Sequence, residues 1–225
     1  MGRILFTSKD GGVSAGDYYS NNLGLHVGDD PEIVMRNRKL LVDEFSLENI
    51  VFMEQTHSTT VVEIFEPFNS LTNSVEADAI ITTQRNVGLA VQVADCIPLL
   101  LYSPQVVAAV HVGRRGLLNG IIEKVLEHIT HYCDPKDLVA EIGPAICSEC
   151  YEVDQETYMA AIEKIPECAT SENELRLDLV AGSSALLSRG GVHVRNWHVC
   201  TRCDEGYFSY RKNPVTGRQV GVVAL

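Results

Sequence analysis

The chain has 225 residues, of which 45% are hydrophobic and 21% charged, a composition typical of one soluble globular domain. Its formal net charge of −12 argues against general nucleic-acid binding, although a local cationic cluster could still hold a small anion. The longest apolar runs are only as long as a strand, so we expect no membrane span. Seven cysteines without an N-terminal apolar signal segment indicate reduced thiols in a cytoplasmic protein.

The first half of the chain alternates short β segments with one helix. Residues 3–7 predict a strand, and the polar, glycine-rich stretch 8–30 predicts a long ordered loop. Asp30 and Pro31 form an N-cap and first-turn pair, and apolar residues at helical spacing predict a helix over 31–45. The remaining predicted elements here are a polar loop at 69–74 and strands at 50–54, 59–65, 77–83 and 88–94.

The second half begins with a hairpin and continues with helices. Apolar runs at 96–102 and 106–112 flank Ser103 and Pro104 and predict two strands joined by a tight turn. Apolar periodicity predicts a helix over 117–132, just after a basic pair. Further predicted elements are a strand at 138–142, helices at 154–164 and 177–189, and strands at 192–199 and 217–225. Because strands outnumber helices and often follow one another, we predict a single α/β domain with one mixed sheet covered by helices.

One thiol and two imidazoles are predicted to meet at strand ends. The hairpin would bring Cys96 and His111 to the same end of the strand pair, and His57 lies at the start of another β-rich run. Nitrogen and sulfur donors suit zinc, and three protein ligands leave a fourth position for water or substrate. Zinc there would lower the pKa of a bound water to about 7. Two alternatives stay open: Cys96 is a nucleophile with His111 as its base, or the three side chains are unrelated.

Several neighbouring residues are candidates for ligand binding or proton transfer. Arg115, at a helix start, offers a guanidinium fork to a phosphate or carboxylate, and Lys9 is a second candidate cation. Asp95, beside Cys96, is a candidate acid or base, although strand alternation would point it to the opposite face. His26 lies in the long loop and could close over the site. The histidines that we interpret as surface or strand-filling residues are His128, His131, His193 and His198.

Two CxxC pairs, Cys147/Cys150 and Cys200/Cys203, have the spacing seen in four-cysteine zinc sites. The segment between the two pairs is much longer than in a zinc ribbon, and aromatic, core-like residues follow Cys150. These two features favour packed free thiols over a structural metal site.

Nine sequence blocks together resemble one known family. They are FTSKDGGVS, SNNLGLHVGDDP, EQTHS, ADAIITT, ADCIPLLLY, AAVHVGRRGLLNGI, IGPAIC..CYEV, LDL and CTRCD..YFSYR, in this order across nearly the whole chain. The family is the YfiH-like family, also called multicopper polyphenol oxidase (laccase-domain) proteins and purine nucleoside phosphorylases. The resemblance implies a single three-layer α/β/α domain with a mixed sheet over residues 1–225, similar in fold to a cysteine-hydrolase toxin domain.

The resemblance also implies an activity and the residues that carry it. It implies phosphorolysis of adenosine, inosine and methylthioadenosine, deamination of adenosine, and zinc as cofactor, with copper as an alternative ion. A purine nucleoside and phosphate are then the partners, and we expect a monomer. The implied metal ligands are His57, Cys96 and His111, the set already reached from the residues. Phosphate or ribose would contact Lys9, Asn22, His26 and Arg115, with Asp95 and Cys96 acting in catalysis.

Three positions depart from the family pattern. Arg114 stands where the family usually has tryptophan, which removes a ring that could stack on a purine. Lys9 replaces a usual arginine, which keeps the charge but loses the bidentate fork. Cys147 replaces a usual glycine, so the first CxxC pair resembles a local substitution.

Four functions therefore stay open. We favour a zinc-dependent purine nucleoside enzyme. The first alternative is a cysteine hydrolase that acts on an amide through Cys96 and His111. The second is a copper-dependent polyphenol oxidase, against which seven scattered histidines without an H-x-H pair argue. The third is a purine- or metal-binding module without catalysis.

Overall fold

The computed structural model describes residues 2–65, 74–170 and 174–225. Five α-helices lie within these ranges: Pro31–Phe45 (α1), Arg114–Leu118 (α2), Ile121–Ile129 (α3), Gln155–Lys164 (α4) and Leu179–Arg189 (α5). Eleven strands lie within them: Arg3–Phe6 (β1), Asn49–Glu54 (β2), Val61–Glu63 (β3), Ser74–Glu76 (β4), Ala79–Thr82 (β5), Val87–Val93 (β6), Ile97–Tyr102 (β7), Val107–Val112 (β8), Val139–Ile142 (β9), His193–Asn196 (β10) and Gln219–Ala224 (β11). In the same part of the chain, no helix has both the length and the apolar character that a membrane crossing requires.

The strands form two mixed sheets that pack face to face. The first sheet has the order β1-β11-β6-β2-β4, and the second has the order β10-β9-β7-β8-β5-β3. Residues between the sheets, such as Val51, Leu89, Leu100 and Ala109, form a shared core. Helix α1 covers the outer face of the first sheet, and helices α2 to α5 cover the outer face of the second. The architecture is therefore a four-layer α/β/β/α sandwich.

The prediction of one mixed sheet in three layers is wrong, because the chain changes sheet between β6 and β7. Every residue of these two strands is buried, so their hydrophobic pattern does not show which neighbour each one has. The change of sheet takes place at 94–96, where Asp95 has a φ of 100°. The implied likeness to a cysteine-hydrolase toxin domain stays a prediction.

The predicted helices are present, and their observed bounds agree with the prediction for α1 but differ for the others. Helix α1 covers the predicted residues, and the Asp30 carboxylate accepts a hydrogen bond from the backbone N–H of Glu32. The predicted helix over 117–132 is instead α2 and α3, which are separated at Gly120 by a left-handed backbone with a φ of 87°. Helix α5 begins two residues later than predicted, because Asp178 caps it. The predicted loop at 69–74 lies outside the described residues except for Ser74, which begins β4.

The long loop over 8–30 is ordered, as predicted, and its contacts with α1 explain why. The buried Asn37 amide of α1 donates to Ser14 Oγ at 3.0 Å and to the Asn22 carbonyl at 2.9 Å. The neighbouring Arg38 Nε donates to the Leu23 carbonyl at 2.9 Å. These side chains replace the backbone hydrogen bonds that a loop inside a domain would otherwise lack.

Candidate metal-binding site

The β7–β8 hairpin and the loop after β2 bring the three predicted donors together. Strands β7 and β8 pair antiparallel with Pro98 opposite His111, so Cys96 and His111 lie at the same end of the hairpin. His57 Nε2 lies 3.8 Å from Cys96 Sγ, and the two imidazole rings are 4.7 Å apart between centroids. The ligand atoms of all three residues lie within 4.8 Å of one another. One metal ion can be bound by all three.

Asp78, immediately before β5, holds both histidines and was missed in the sequence. Its Oδ1 accepts hydrogen bonds from His111 Nδ1 at 2.7 Å and from the His57 backbone N–H at 3.0 Å. Its Oδ2 accepts from the Ser58 backbone N–H at 2.6 Å and from the Ser58 hydroxyl at 2.8 Å. Since Nδ1 of His111 is used in this way, Nε2 is left as the ligand nitrogen. Asp78 therefore fixes the orientation of the His111 ring and the position of the His57 backbone without being a metal ligand itself. Its block, ADAIITT, carried no signal beyond a buried strand.

The charges in the site favour an ionised thiol. Burial raises the pKa of Asp78, but hydrogen bonds from His111 and Ser58 outweigh it and lower that pKa to about 2. Burial also raises the pKa of the Cys96 thiol, but the charge and hydrogen bonds of the two histidines lower it to about 6. Burial lowers the pKa of His111, whereas Cys96 and Asp78 raise it to about 9. The thiolate is the form of cysteine that binds metals and attacks electrophiles, so the site is suited to either chemistry.

Gly113 lets the hairpin end and the His57 loop approach each other. A Cβ atom at this position would lie 2.6 Å from His57 Cδ2 and 3.3 Å from Cys96 Sγ. The backbone there has a φ of −83°, which any residue can adopt, so the restriction is purely steric. The space beside the donors therefore requires glycine.

We expect Gly113→Ala to weaken metal binding by about 10- to 100-fold while the chain still folds, because the added methyl displaces His57 and Cys96. Competition with a chelator of known affinity measures the effect. Gly206→Ala is the control, since a Cβ there would meet only the Asp204 side chain within 4 Å. Equal affinity in wild type and Gly113→Ala would contradict the steric argument.

A cavity of about 380 Å³ opens over the three donors. His26 lies in its wall, and burial together with the nearby Arg218 lowers the pKa of that imidazole. Its role in binding substrate stays a prediction. Asp95 also lies in the wall, but its carboxylate accepts hydrogen bonds from Thr201 Oγ1 at 2.7 Å and from the Arg211 backbone N–H at 2.6 Å. The role of Asp95 as an acid or base stays a prediction. The other polar and aromatic residues of the wall are Gln55, Gln92, Tyr151, Tyr210, Arg211 and Arg218.

Two arginines in this wall were missed because they lie far along the chain in a polar tail. Arg211 Nη1 donates to the Glu152 carbonyl at 2.9 Å, and its guanidinium lies 5.1 Å from the centre of the Tyr151 ring. Arg218 Nη1 donates to the carbonyls of Thr216 and Gly217 at 3.0 and 2.9 Å. The block CTRCD..YFSYR, which contains Tyr210 and Arg211, was the available signal.

The structure does not bring Asn22, Lys9 or Arg115 into the cavity wall. Asn22 is fully buried, and its side-chain amide contacts Gly24, Asp29 and the Arg218 backbone, which uses all its donors and acceptors. Lys9 lies in a separate cleft, with its ammonium 5.5 Å from the centre of the Phe208 ring. Arg115 is exposed on α2. Their roles in binding phosphate or ribose stay predictions, and they do not draw on the position of this cavity.

Comparisons with known proteins agree on the family. The family model described as multi-copper polyphenol oxidoreductase laccase matches residues 3–225. Purine nucleoside phosphorylases of Streptomyces coelicolor and Corynebacterium glutamicum are 40% and 42% identical to the chain, covering 98% and 99% of it and 94% of each relative. A DUF152-family protein of Neisseria meningitidis has a TM-score of 0.90 at 34% identity, with 100% of this chain and 94% of that chain covered.

Bacillus licheniformis YfiH has a TM-score of 0.89 at 29% identity, with 100% of this chain and 92% of that chain covered. The family model spans nearly the whole chain, and the fold of both solved structures is the same. The resemblance seen in the nine sequence blocks is thereby confirmed. This chain belongs to the multi-copper polyphenol oxidoreductase laccase family, to which the YfiH-like proteins also belong.

Proposed function

We propose that this chain is a metal-dependent purine nucleoside phosphorylase that cleaves adenosine, inosine and methylthioadenosine and also deaminates adenosine. The observation that carries this proposal is the cavity, in which three metal donors face two arginines and two tyrosines. Its volume of about 380 Å³ lies within the range of small-molecule sites, about 300–1,000 Å³. Relatives named purine nucleoside phosphorylase support the substrate class.

The donors fit one metal ion better than a set of coppers. Two imidazoles and one thiolate suit a borderline divalent ion, and we propose zinc, with copper as the alternative. Among the described residues, no other cluster of potential ligands contains a histidine. The four histidines outside the cavity are all exposed: His128, His131, His193 and His198. When bound, the ion supplies Lewis acidity next to the cavity.

The cavity wall offers a separate partner for each part of the substrates. In phosphorolysis a phosphate oxygen attacks the C1′ carbon of the ribose, and the bond from C1′ to the purine nitrogen breaks. The guanidinium groups of Arg211 and Arg218 would bind the phosphate, in place of the residues expected from the sequence. The rings of Tyr151 and Tyr210 would pack against the purine and replace the stacking that Arg114 cannot supply. His26 would contact the ribose hydroxyls.

Product analysis tests the proposal. Zinc-loaded protein, purified without a metal-affinity tag, is incubated with each nucleoside in the presence and absence of phosphate. We expect free base and a ribose 1-phosphate only when phosphate is present, and inosine plus ammonia from adenosine in either case. Failure of the folded, zinc-loaded chain to release base from any of the three nucleosides would refute phosphorolysis. Tight nucleoside binding in that case would indicate a non-catalytic module.

We expect Arg211→Ala to raise the KM for phosphate by about 10- to 100-fold, because a charged hydrogen bond to the anion is lost. Metal content should not change, because neither Arg211 nor Asp95 is a metal ligand. The hydrogen bond from Arg211 to Asp95 comes from the backbone N–H, which the substitution keeps. Steady-state kinetics with varied phosphate measure the effect, and Arg36→Ala, at an exposed arginine of α1, is the control. An unchanged KM for phosphate would remove Arg211 from the phosphate site.

A cysteine hydrolase is the second candidate, because the same side chains form a Cys–His–Asp arrangement. His111 lies between the Cys96 thiol and the Asp78 carboxylate, and the Cys96 pKa is lowered to about 6. The thiolate would attack an amide carbonyl, and the protonated imidazole would give its proton to the leaving amine. Amide hydrolysis that persists in a chelator and disappears on thiol alkylation would favour this candidate. Phosphorolysis that a chelator abolishes and zinc restores would favour the first.

A further inference from the structure

Four cysteine thiols outside the cavity wall form a second cluster. Cys147 and Cys150 lie at the two ends of a single 3₁₀ turn, and Cys200 and Cys203 lie in a turn near the end of the chain. All four Sγ atoms lie within 4.8 Å of one another, and none is in a disulfide. From the sequence we expected packed free thiols, because the segment between the two pairs is much longer than in a zinc ribbon. The structure instead brings the four thiols together.

A backbone bridge explains why the two pairs meet. Ala145 and Cys200 form a parallel β-bridge, in which the Ala145 N–H donates to the Val199 carbonyl at 3.1 Å. The Thr201 N–H then donates to the Ala145 carbonyl, also at 3.1 Å. Both CxxC turns therefore start from one paired segment. The two cysteines of each pair are three positions apart, and one turn brings their thiols close together.

We propose that these four thiolates bind one structural zinc ion. In a tetrahedral site with Zn–S bonds of about 2.3 Å, neighbouring sulfurs lie about 3.8 Å apart. The observed sulfurs are close to this arrangement, since Cys150 and Cys203 are 3.3 Å apart and all pairs lie within 4.8 Å. Four protein ligands leave no open position for water, so the ion would stabilise structure and take no part in catalysis.

Two contacts around the sulfurs are of the kind that stabilise zinc-bound thiolates. The Cys147 backbone N–H donates to Cys200 Sγ at 3.3 Å, and Arg202 Nη1 donates to Cys150 Sγ at 3.5 Å. A zinc ion with four thiolates carries two negative charges, which an N–H donor and a guanidinium partly neutralise. These two hydrogen bonds are a separate observation from the sulfur–sulfur distances, and they also favour a bound zinc ion.

The zinc ion would hold one wall of the cavity in place. Tyr151, in that wall, directly follows Cys150. Thr201, between the second pair of cysteines, donates its hydroxyl to Asp95 at 2.7 Å, and the Ile146 N–H donates to the Asp95 carbonyl at 2.9 Å. Asp95 in turn precedes the donor Cys96. Loss of this ion should therefore raise the KM for nucleoside without removing the ion at Cys96, an effect that rests on the proposed function.

Zinc stoichiometry tests the proposal without reference to activity. The chain is purified without a tag under reducing conditions and is analysed for metal beside three variants. Cys203→Ser should lose one zinc per chain, and Cys133→Ser, at a free thiol outside both clusters, should lose none. Cys96→Ser should keep this zinc. Cys203 is exposed, so serine there does not disturb the core.

A measurement on the wild-type chain covers the case in which the variant does not fold. Cobalt loaded into metal-free protein should show the charge-transfer absorption of several thiolates, stronger than one thiolate at Cys96 can produce. Equal zinc content in wild type and Cys203→Ser would overturn the proposal. So would iron in place of zinc, or a Cys150–Cys203 disulfide found after the thiols are trapped by alkylation. None of these outcomes affects the proposed phosphorolysis, which is read from the products and from Cys96→Ser.

Discussion

Replacing Cys96 by serine should remove the ion held with His57 and His111 and should lower kcat/KM for phosphorolysis by about 10³-fold or more. Cys96 supplies the thiolate of the three-donor set, and the other two donors are neutral imidazoles when they bind a metal. A serine hydroxyl stays protonated near neutral pH and is a weak ligand, so two imidazoles alone would have to hold the ion. Serine differs from cysteine in one atom, and the fold should be unaffected.

Metal analysis and steady-state kinetics on tag-free protein measure both effects. The matched control is Cys133→Ser, which changes a half-buried thiol outside both cysteine-containing clusters. It should keep the metal content and the activity of the wild type. Full zinc content together with full activity in Cys96→Ser would show that Cys96 is not a ligand and that the proposed site is wrong. Loss of activity with full metal content would instead favour Cys96 as a nucleophile.

Replacing Asp78 by asparagine should weaken metal binding by about 10- to 100-fold and lower the free energy of unfolding by about 2–4 kcal/mol. The Asp78 carboxylate is fully buried and accepts hydrogen bonds from His111, His57 and Ser58. An asparagine side chain has one oxygen acceptor, and its amide group would face the N–H and O–H donors that now meet Oδ2. Both the orientation of His111 and the backbone of the His57 loop would therefore be disturbed.

The two effects of Asp78→Asn are measured separately. Chelator competition reports metal affinity, and urea unfolding of the metal-free protein reports stability without the contribution of a bound ion. Asp137→Asn, at an exposed aspartate, should change neither quantity. If Asp78→Asn bound metal and unfolded like the wild type, the carboxylate would have no role in positioning the site.

The cavity wall carries two arginines that give this acidic protein a local site for the phosphate of the proposed reaction. The chain carries a formal net charge of −12, which on average repels phosphate. Arg211 and Arg218 nevertheless lie together in the cavity wall, beside the metal donors. The net charge argues against general nucleic-acid binding, and the two arginines mark where the proposed site for a small anion would lie.

The family description names polyphenol oxidation, and oxygen uptake separates that chemistry from phosphorolysis. Oxygen consumption with a phenol that depends on added copper would support an oxidase. The described residues bring two histidines and one cysteine to one position, which is enough for one ion. We expect zinc-loaded protein to release base from nucleosides and to take up no oxygen.

The sequence by itself determined the features that depend on neighbouring residues. Asp30 and Pro31 begin α1 through contacts within one turn, so its bounds could be predicted. Ser103 and Pro104 turn the chain between two apolar runs, and this turn alone places Cys96 and His111 at one end of the hairpin. The hairpin was sufficient for Cys96 and His111 because these two residues need only one turn to meet. His57 lies 39 residues before Cys96 and reaches it through packing of distant segments, so the sequence could offer it only as a candidate.

Only the tertiary structure decided what depends on packing between distant segments. Strands buried on both faces carry no periodicity that reveals their neighbours, so the two sheets could not be told from one. Asp78 immediately precedes β5, and its contacts with both histidines depend on where β5 pairs with β8. Arg211 and the cysteine pairs lie about 50 to more than 100 residues from the groups they meet, as in the contact of the Arg211 N–H with Asp95. Contacts between segments this far apart depend on how the whole core packs, and no local sequence pattern predicts them.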